Sequence, residues 1–282
     1  MNAIEMSHVT KTYPSFTLKD VSLTLPSGCI MGLIGENGAG KSTVIKLLMN
    51  AAKRDGGDIK ILGNDNTKKD FVKTKEEIGV VLDEAYFPEM LNAKKVCNVM
   101  RRVYRNWDEE TFYRYIRRFQ LPEKKIFKEY SRGMKMKLAI AAALSHQAKL
   151  LILDEATSGL DPVVRDEILE IFNEFTREEN HTVLLSSHII SDLEKICDYI
   201  ACLHRGQLLF CEEKDRLIEE CGIIRMTKED AKKIPKQVIL GKRENKYGTE
   251  LLVRRCNVSN SYEIEKTNME EIMLFLLQNR EV

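Results

Sequence analysis

The chain opens with short segments in which apolar and polar residues alternate. Residues 3–6 and 18–25 show this alternation, and the turn-forming sequence Tyr13-Pro14-Ser15 lies between them. A period of two places every second side chain on one face, as in a half-buried strand. The pattern therefore predicts an antiparallel β layer at the N-terminus.

Three later segments are short and continuously apolar, at residues 29–34, 150–153 and 182–186. Runs of this kind are typical of strands that are buried on both faces of a sheet. Helical patterns follow them, and the first run leads through a glycine-rich loop into a predicted helix over residues 42–50. This alternation predicts an α/β fold with a mainly parallel sheet and crossover helices.

Helical periodicity dominates residues 88–146, which predicts a helical insertion between the buried strands. Its basic and aromatic stretch, residues 101–107, has two interpretations: a nucleic-acid contact or a solvated helix face. After about residue 209 the sequence becomes more charged, and it ends in an amphipathic helix candidate over 269–277. This last part predicts a small α+β appendage.

The composition narrows the functional class. The 282 residues include 44 Lys and Arg against 43 Asp and Glu, so no overall positive field favours nucleic acid, and we expect no direct nucleic-acid partner. The longest apolar runs, residues 150–153 and 272–277, are far shorter than the ~20 residues of a membrane span. The N-terminus lacks the basic-then-apolar pattern of a secretory signal, so we expect a cytoplasmic protein.

The cysteines are scattered, odd in number and without a CxxC pair. Such spacing favours reduced, mostly buried thiols over a metal site.

Residues 35–42 read Gly-Glu-Asn-Gly-Ala-Gly-Lys-Ser and fit the phosphate-binding pattern GxxxxGK[ST] between a predicted strand and a predicted helix. Glycines let backbone N–H groups approach phosphate oxygens, and the helix N-terminus adds partial positive charge. Lys41 would contact the β- and γ-phosphates, and the Ser42 hydroxyl would bind Mg²⁺. The predicted nucleotide-binding residues here are Gly35, Asn37, Gly38, Ala39, Gly40, Lys41, Ser42 and Thr43.

The apolar run 150–153 ends in two adjacent carboxylates, Asp154 and Glu155. Open α/β sheets bind ligands at the carboxyl ends of their strands. We expect Asp154 to hold Mg²⁺ through its water shell. Glu155, pointing the other way on the strand, would orient and deprotonate the attacking water.

The order of these motifs resembles that of the ATP-binding cassette (ABC) ATPases. In that family a helical subdomain, a serine-glycine signature, an acidic strand end, an SGLD-like loop and a histidine follow the nucleotide-binding loop. The corresponding segments here are Tyr130-Ser131-Arg132-Gly133-Met134, Asp154-Glu155, Ser158-Gly159-Leu160-Asp161 and His188, with Tyr13 at the position of the ring that stacks on adenine. The resemblance covers residues 1 to about 215.

The resemblance implies an ATPase that works as a head-to-tail dimer. Ser131 and the backbone N–H groups at Gly133 would contact the γ-phosphate of ATP bound to the second subunit. His188 would hydrogen-bond the γ-phosphate and help to hold the attacking water, so Glu155, His188 and Lys41 are the expected catalytic residues. Mg²⁺ and ATP are the expected cofactors.

Two departures from the common family pattern concern the signature and a glutamine that normally contacts Mg²⁺. Arg132 and Met134 replace a glycine and the glutamine of LSGGQ, while Asp83 replaces the Mg²⁺-contacting glutamine. Asp83 can still bind Mg²⁺, but it adds negative charge beside the triphosphate. Both changes resemble those of the subgroup that serves bacterial drug, antibiotic or polysaccharide exporters.

The expected fold is α/β, of the P-loop NTPase (RecA-like) type, with an N-terminal antiparallel β subdomain and a helical subdomain over about 88–146. The expected domains are the ATPase, residues 1–215, and the α+β appendage, residues 216–282, whose role is either packing or dimer contact and regulation. We expect an exporter subunit on the inner face of the cell membrane that drives a separate polytopic permease. The alternatives are a soluble ABC ATPase acting on nucleic acid or ribosomes, and a regulatory subunit that barely hydrolyses ATP.

Overall fold

The computed structural model of the chain describes residues 1–83, 87–246, 248–259 and 262–278. It divides into two compact units, residues 1–211 and 212–282. In chain order, the described strands are β1 Asn2–Tyr13, β2 Phe16–Pro26, β3 Ile30–Ile34, β4 Gly56–Ile61, β5 Asn64–Asp65, β6 Ile78–Val81, β7 Leu150–Asp154, β8 Thr182–Ser187, β9 Tyr199–His204, β10 Gln207–Glu213, β11 Cys221–Met226, β12 Ile239–Glu244 and β13 Thr249–Arg254. The α-helices are α1 Lys41–Leu48, α2 Phe71–Lys75, α3 Ala93–Val103, α4 Glu109–Arg118, α5 Arg132–Leu144, α6 Pro162–Phe175, α7 Ile190–Ile196, α8 Lys214–Glu220, α9 Lys228–Ala231 and α10 Met269–Gln278. Short 3₁₀ turns lie at Phe127–Glu129, Lys236–Val238 and Arg255–Asn257.

The predicted N-terminal β layer is a four-stranded sheet in the order β2-β1-β4-β5. Its strands pair antiparallel, and β1 and β2 form a hairpin that closes with Tyr13 opposite Phe16. Buried apolar residues alternate with exposed ones along β2, as the period of two predicts. This hairpin places its closing turn beside the nucleotide-binding loop, as described below.

A six-stranded sheet forms the centre of the first unit, in the order β10-β9-β3-β8-β7-β6. The strands from β9 to β6 run parallel. Ile34 at the end of β3 is in register with Ser187, and Asp154 at the end of β7 is in register with Ser186. The carboxyl ends of three strands therefore meet at one edge, and the predicted α/β fold is confirmed.

The predicted helical segment contains α3, α4 and α5. Side-chain oxygens of Asn92, Asp108 and Ser131 cap the helix N-termini by accepting backbone N–H bonds. The aromatic residues of stretch 101–107 pack inward: Tyr104 stacks on His146 with ring centroids 3.9 Å apart, and Trp107 lies 5.3 Å from Phe112. These rings stabilise the helical segment.

The second unit contains a three-stranded antiparallel sheet in the order β11-β13-β12. Helix α8 packs on β11, and the C-terminal helix α10 packs on β12. The boundary expected after residue 215 falls inside α8, whereas the division lies after residue 211, because α8 packs within the second unit.

Four of the cysteines, Cys97, Cys197, Cys202 and Cys221, are buried. Within the described ranges, no group of three or more His, Cys, Asp or Glu side chains is placed to hold a metal ion. None of the described helices combines the length and apolar character that crossing a bilayer requires.

Candidate functional site

The phosphate-binding loop connects β3 to α1, as the sequence predicts. Gly35 comes so close to neighbouring backbone that a Cβ there would lie 2.4 Å from the carbonyl oxygen of Leu203. Gly38 has a φ of +83°, a conformation that glycine adopts without strain. The loop therefore depends on a close approach at its first residue and on a left-handed turn at its fourth.

Lys41 is the first residue of α1, and its ammonium group is buried at the base of the loop. Its Nζ donates to the Gly35 carbonyl oxygen at 2.7 Å and lies 3.4 Å from Oε1 of Glu155. Only 7% of the Lys41 side chain and 15% of the Glu155 side chain are exposed to solvent. The ion pair is thus largely desolvated, which strengthens the attraction between the two charges.

The two predicted carboxylates differ in their backbone setting. Asp154 is buried at the end of β7 and accepts a hydrogen bond from Oγ of Ser186 at 2.5 Å. We expected Glu155 to point the other way along the same strand, and that expectation is wrong. The strand ends at Asp154, and Glu155 has a left-handed φ of +51°. Its N–H donates to the carbonyl oxygen of Ser186 at 3.1 Å, which holds this conformation.

His188 completes a chain of three contacting groups. It follows β8, and its Nδ1 lies 2.6 Å from Oε2 of Glu155. Since an ionised carboxylate only accepts hydrogen bonds, Nδ1 carries the hydrogen in this contact. Lys41 therefore contacts one oxygen of Glu155, and His188 contacts the other.

These side chains line one cavity of about 890 Å³. The predicted site residues in its lining are Tyr13, Asn37, Gly38, Gly40, Lys41, Ser42, Thr43, Asp83, Glu155 and His188. The lining also includes Pro14, Ser15, Phe16, Glu36, Arg132 and Ser158, which were not predicted as contacts of this chain's own site. The remaining predicted residues, Gly35, Ala39, Asp154, Ser131 and Gly133, are outside that lining.

These five residues lie outside the lining for different reasons. The carbonyl oxygen of Gly35 accepts a hydrogen bond from Nζ of Lys41, and Asp154 directly precedes Glu155 in the chain. Ser131 caps α5, where its Oγ accepts from the Met134 N–H at 3.3 Å. This contact leaves the Ser131 hydroxyl hydrogen available for another acceptor.

Arg132 was noted in the sequence only as a departure from the signature. In the structure its guanidinium donates to Oδ1 of Asp83 at 3.2 Å and lines the cavity. Asp83 and Arg132 are 49 residues apart, so no local spacing rule would have paired them.

The donor set suits a hard, oxygen-binding cation. Ser42 and Asp83 line the cavity, and Asp154, although outside that lining, directly precedes Glu155, which lines it. Mg²⁺ takes oxygen ligands, keeps several waters and uses one or two carboxylates together with substrate phosphates. A hydroxyl and two carboxylates near a phosphate-binding loop fit that chemistry.

Comparison with known proteins gives a consistent picture. The family profile described as "ABC transporter" matches residues 18–158. Over 222 residues the chain is 34% identical to the uncharacterized ABC transporter ATP-binding protein YhcH of Bacillus subtilis, covering 77% of this chain and 72% of the relative. It is 32% identical to the bacitracin transport ATP-binding protein BcrA of Enterococcus faecalis, covering 73% and 68%. It is 34% identical to the lantibiotic transport ATP-binding protein SrtF of Streptococcus pyogenes, covering 75% and 91%.

Solved structures share the fold. An ATP-binding subunit of an ABC transporter superimposes with a TM-score of 0.69 at 26% identity, covering 77% of this chain and 92% of that one. An ATP-binding cassette solved as a dimer with ADP and phosphate superimposes with a TM-score of 0.66 at 22% identity, covering 74% and 98%.

Proposed function

This chain belongs to the ABC transporter family as an ATP-binding and ATP-hydrolysing subunit, and from that premise we propose that it powers export through a separate membrane-spanning subunit. The contact of Glu155 with both Lys41 and His188 in one cavity carries the catalytic part of the proposal. The transport part is supported by the relatives named for bacitracin and lantibiotic transport.

The cavity would hold ATP with its base toward the β-hairpin turn and its phosphates on the glycine-rich loop. The ring of Tyr13 would stack on the adenine, and loop N–H groups and Lys41 would bind the phosphates. As the phosphates enter, the Lys41 ammonium would exchange its contact with Glu155 for phosphate oxygens. Ser42, Asp83 and Asp154 would hold Mg²⁺, which would neutralise charge on the phosphates.

Glu155 would act as the general base. Its carboxylate accepts a proton from the attacking water while the Nδ1–H group of His188 holds the carboxylate in place. The structure supports this assignment because the unusual backbone of Glu155 turns its side chain into the cavity. Ser131 and the N–H groups at Gly133 would act on the ATP of a second subunit, in a head-to-tail dimer.

The first test of the catalytic assignment is Glu155→Gln. The amide cannot accept the proton at neutral pH, so we expect turnover to fall at least about 100-fold with ATP binding retained. Phosphate release and nucleotide affinity are measured side by side. Glu77→Gln is the control, because Glu77 also pairs with a lysine, Lys149 at 2.8 Å, but does not line the cavity. Wild-type turnover in Glu155→Gln would remove Glu155 from the mechanism.

The transporter assignment is tested by purifying tagged Glu155→Gln protein from its native host after trapping with ATP and mild solubilisation of the membranes. A polytopic membrane protein in stoichiometric amount is expected, and recovery of ribosomes, nucleic acid or soluble partners alone would contradict the proposal.

The direction of transport is tested with inside-out vesicles that carry this complex. With a labelled peptide antibiotic of the kind named for the relatives as the probe, an exporter accumulates the probe in the vesicle lumen when ATP is added outside, and loss of preloaded probe from the lumen would contradict export.

We also propose that residues 1–211 form the ATPase and that the second unit, residues 212–282, is not needed for nucleotide binding. Among the residues that the structure describes, all those that line the cavity lie in the first unit.

A further inference from the structure

Arg132 and Asp83 form an ion pair between two segments that are distant in sequence. Asp83 follows β6, and Arg132 is the first residue of α5. The guanidinium Nη2 donates to Oδ1 of Asp83 at 3.2 Å, and 55% and 56% of the two side chains are exposed. The pair therefore links the segment after β6, an edge strand of the six-stranded sheet, to the start of the signature helix.

A third segment, the loop that contains Gly159, also contacts the guanidinium of Arg132. A Cβ at Gly159 would lie 2.7 Å from Nη1 and 2.9 Å from Cζ of Arg132. Gly159 lies in the loop between β7 and α6, four residues after Glu155. The guanidinium thus packs against bare backbone in the loop that follows the proposed general base.

Both side chains line the same cavity as Lys41, Glu155 and His188 of their own chain. Alone, the Asp83 carboxylate would add a negative charge to a cavity that receives a triphosphate, which would weaken nucleotide binding. Arg132 places an opposite charge in direct contact with it. The formal charges of Asp83 and Arg132, two of the three residues that depart from the family pattern, therefore sum to zero at this position.

We propose that Arg132 is a positioning residue for the nucleotide site of its own chain, where it holds the Asp83 carboxylate and offsets its charge. The substitutions at Asp83 and Arg132 are then one compensated change. This inference rests on the proposed function of the cavity as the Mg²⁺–ATP site. It differs from a role in which Arg132 itself binds phosphate, because the contribution of Arg132 here depends on Asp83.

The test is a double-mutant cycle on nucleotide affinity, measured with a fluorescent, non-hydrolysable ATP analogue and Mg²⁺. Arg132→Gln should weaken binding about threefold to tenfold in the wild-type background, because Asp83 is left unpaired beside the phosphates. In the Asp83→Asn background the same substitution should weaken binding less than about twofold. Equal losses in the two backgrounds would overturn the proposal and identify Arg132 as an independent phosphate contact.

Two further variants separate the pair from changes in folding. Arg132→Lys keeps the charge and should recover most of the affinity. Arg118→Gln removes an arginine that ties the helical segment to Glu174 outside the cavity, so it should leave affinity unchanged. A loss in Arg118→Gln equal to that in Arg132→Gln would also overturn the proposal.

The proposed function and this inference fail in different ways. If the cavity is not the nucleotide site, Lys41→Ala will bind the analogue as tightly as wild type. If only the inference fails, Lys41→Ala will lose binding while the cycle shows no coupling.

Discussion

Gly35 and Gly38 illustrate how single residues shape the phosphate-binding loop. A Cβ at Gly35 would meet the Leu203 carbonyl oxygen at 2.4 Å, whereas a Cβ at Gly38 has no neighbour within 4 Å. Backbone cannot yield as a flexible side chain can, so the two positions tolerate alanine differently even though both belong to the same motif.

We predict that Gly35→Ala lowers ATP affinity about tenfold or more, since the loop must move away from β9 and misplace its N–H groups. Gly38→Ala serves as the matched control. It should lower the free energy of unfolding by roughly 1 kcal/mol, the strain of an alanine in the left-handed conformation. Nucleotide titrations and thermal unfolding of both variants check this. Equal losses of affinity would show that the close approach at Gly35 does not determine the loop conformation.

At the scale of elements, His146, which follows α5, connects the helical segment to the end of α2, just before β6. Its Nδ1 hydrogen-bonds the carbonyl oxygen of Glu76 at 3.0 Å, and its ring stacks on Tyr104. Burial lowers the pKa of His146 from its ordinary value. The folded protein therefore keeps this imidazole neutral at pH values where an unfolded chain would protonate it.

The sign of the pH effect follows from that difference. Below the unfolded pKa of about 6.5, the unfolded state binds more protons at this site than the folded state, so stability falls as the pH is lowered. We predict that His146→Asn, which keeps a donor near the Nδ1 position, is less stable than wild type at pH 8 by about 1–2 kcal/mol because the stacking is lost. Between pH 7 and 5 it should lose less stability than wild type does.

Urea unfolding at pH 5, 6, 7 and 8 measures this dependence, with His8→Asn as the exposed control. Unchanged pH profiles in His146→Asn would show that another group causes the acid destabilisation.

At the scale of the whole molecule, each compact unit has its own set of stabilising contacts. In the second unit, Arg254 at the end of β13 donates to Glu212 at 2.5 Å and also to Glu220. About a quarter of each side chain is exposed, 25% for Arg254 and Glu212 and 28% for Glu220. Within the second unit, this cluster joins Glu212 to α8 and β13.

We predict that Arg254→Gln lowers the free energy of unfolding of the second unit by about 1–3 kcal/mol, because the partly buried Glu212 loses its arginine and Glu220 is left with Arg216. Nucleotide affinity should stay at the wild-type value. The control Arg225→Gln removes a more exposed arginine, 54% accessible, from its pairs with Glu250 and Glu265 and should lower the free energy of unfolding less than Arg254→Gln does. Limited proteolysis measures the loss of stability, and nucleotide titration measures ATP affinity. Weaker ATP binding in Arg254→Gln would contradict the proposal that the second unit is not needed for nucleotide binding.

The sequence by itself determined the features that depend on neighbouring residues. The glycine-rich loop and the start of α1 follow from a contiguous pattern of strand, loop and helix. The alternation in residues 3–25 likewise predicted the N-terminal hairpin, because side chains of a strand point to opposite faces in turn. The order of the motifs indicated the family, and through the family it indicated residues such as His188, which no local pattern would have singled out.

Only the tertiary structure decided which distant groups touch. Glu155 and His188 are 33 residues apart, and they meet because β7 and β8 are parallel and in register at their carboxyl ends. The left-handed turn at Glu155 is held by a hydrogen bond to Ser186 of the neighbouring strand, so the local sequence alone predicted a strand continuation instead. Arg132 joined its own chain's cavity for the same physical reason: contacts between elements depend on how they pack, and sequence spacing does not encode the distances that result.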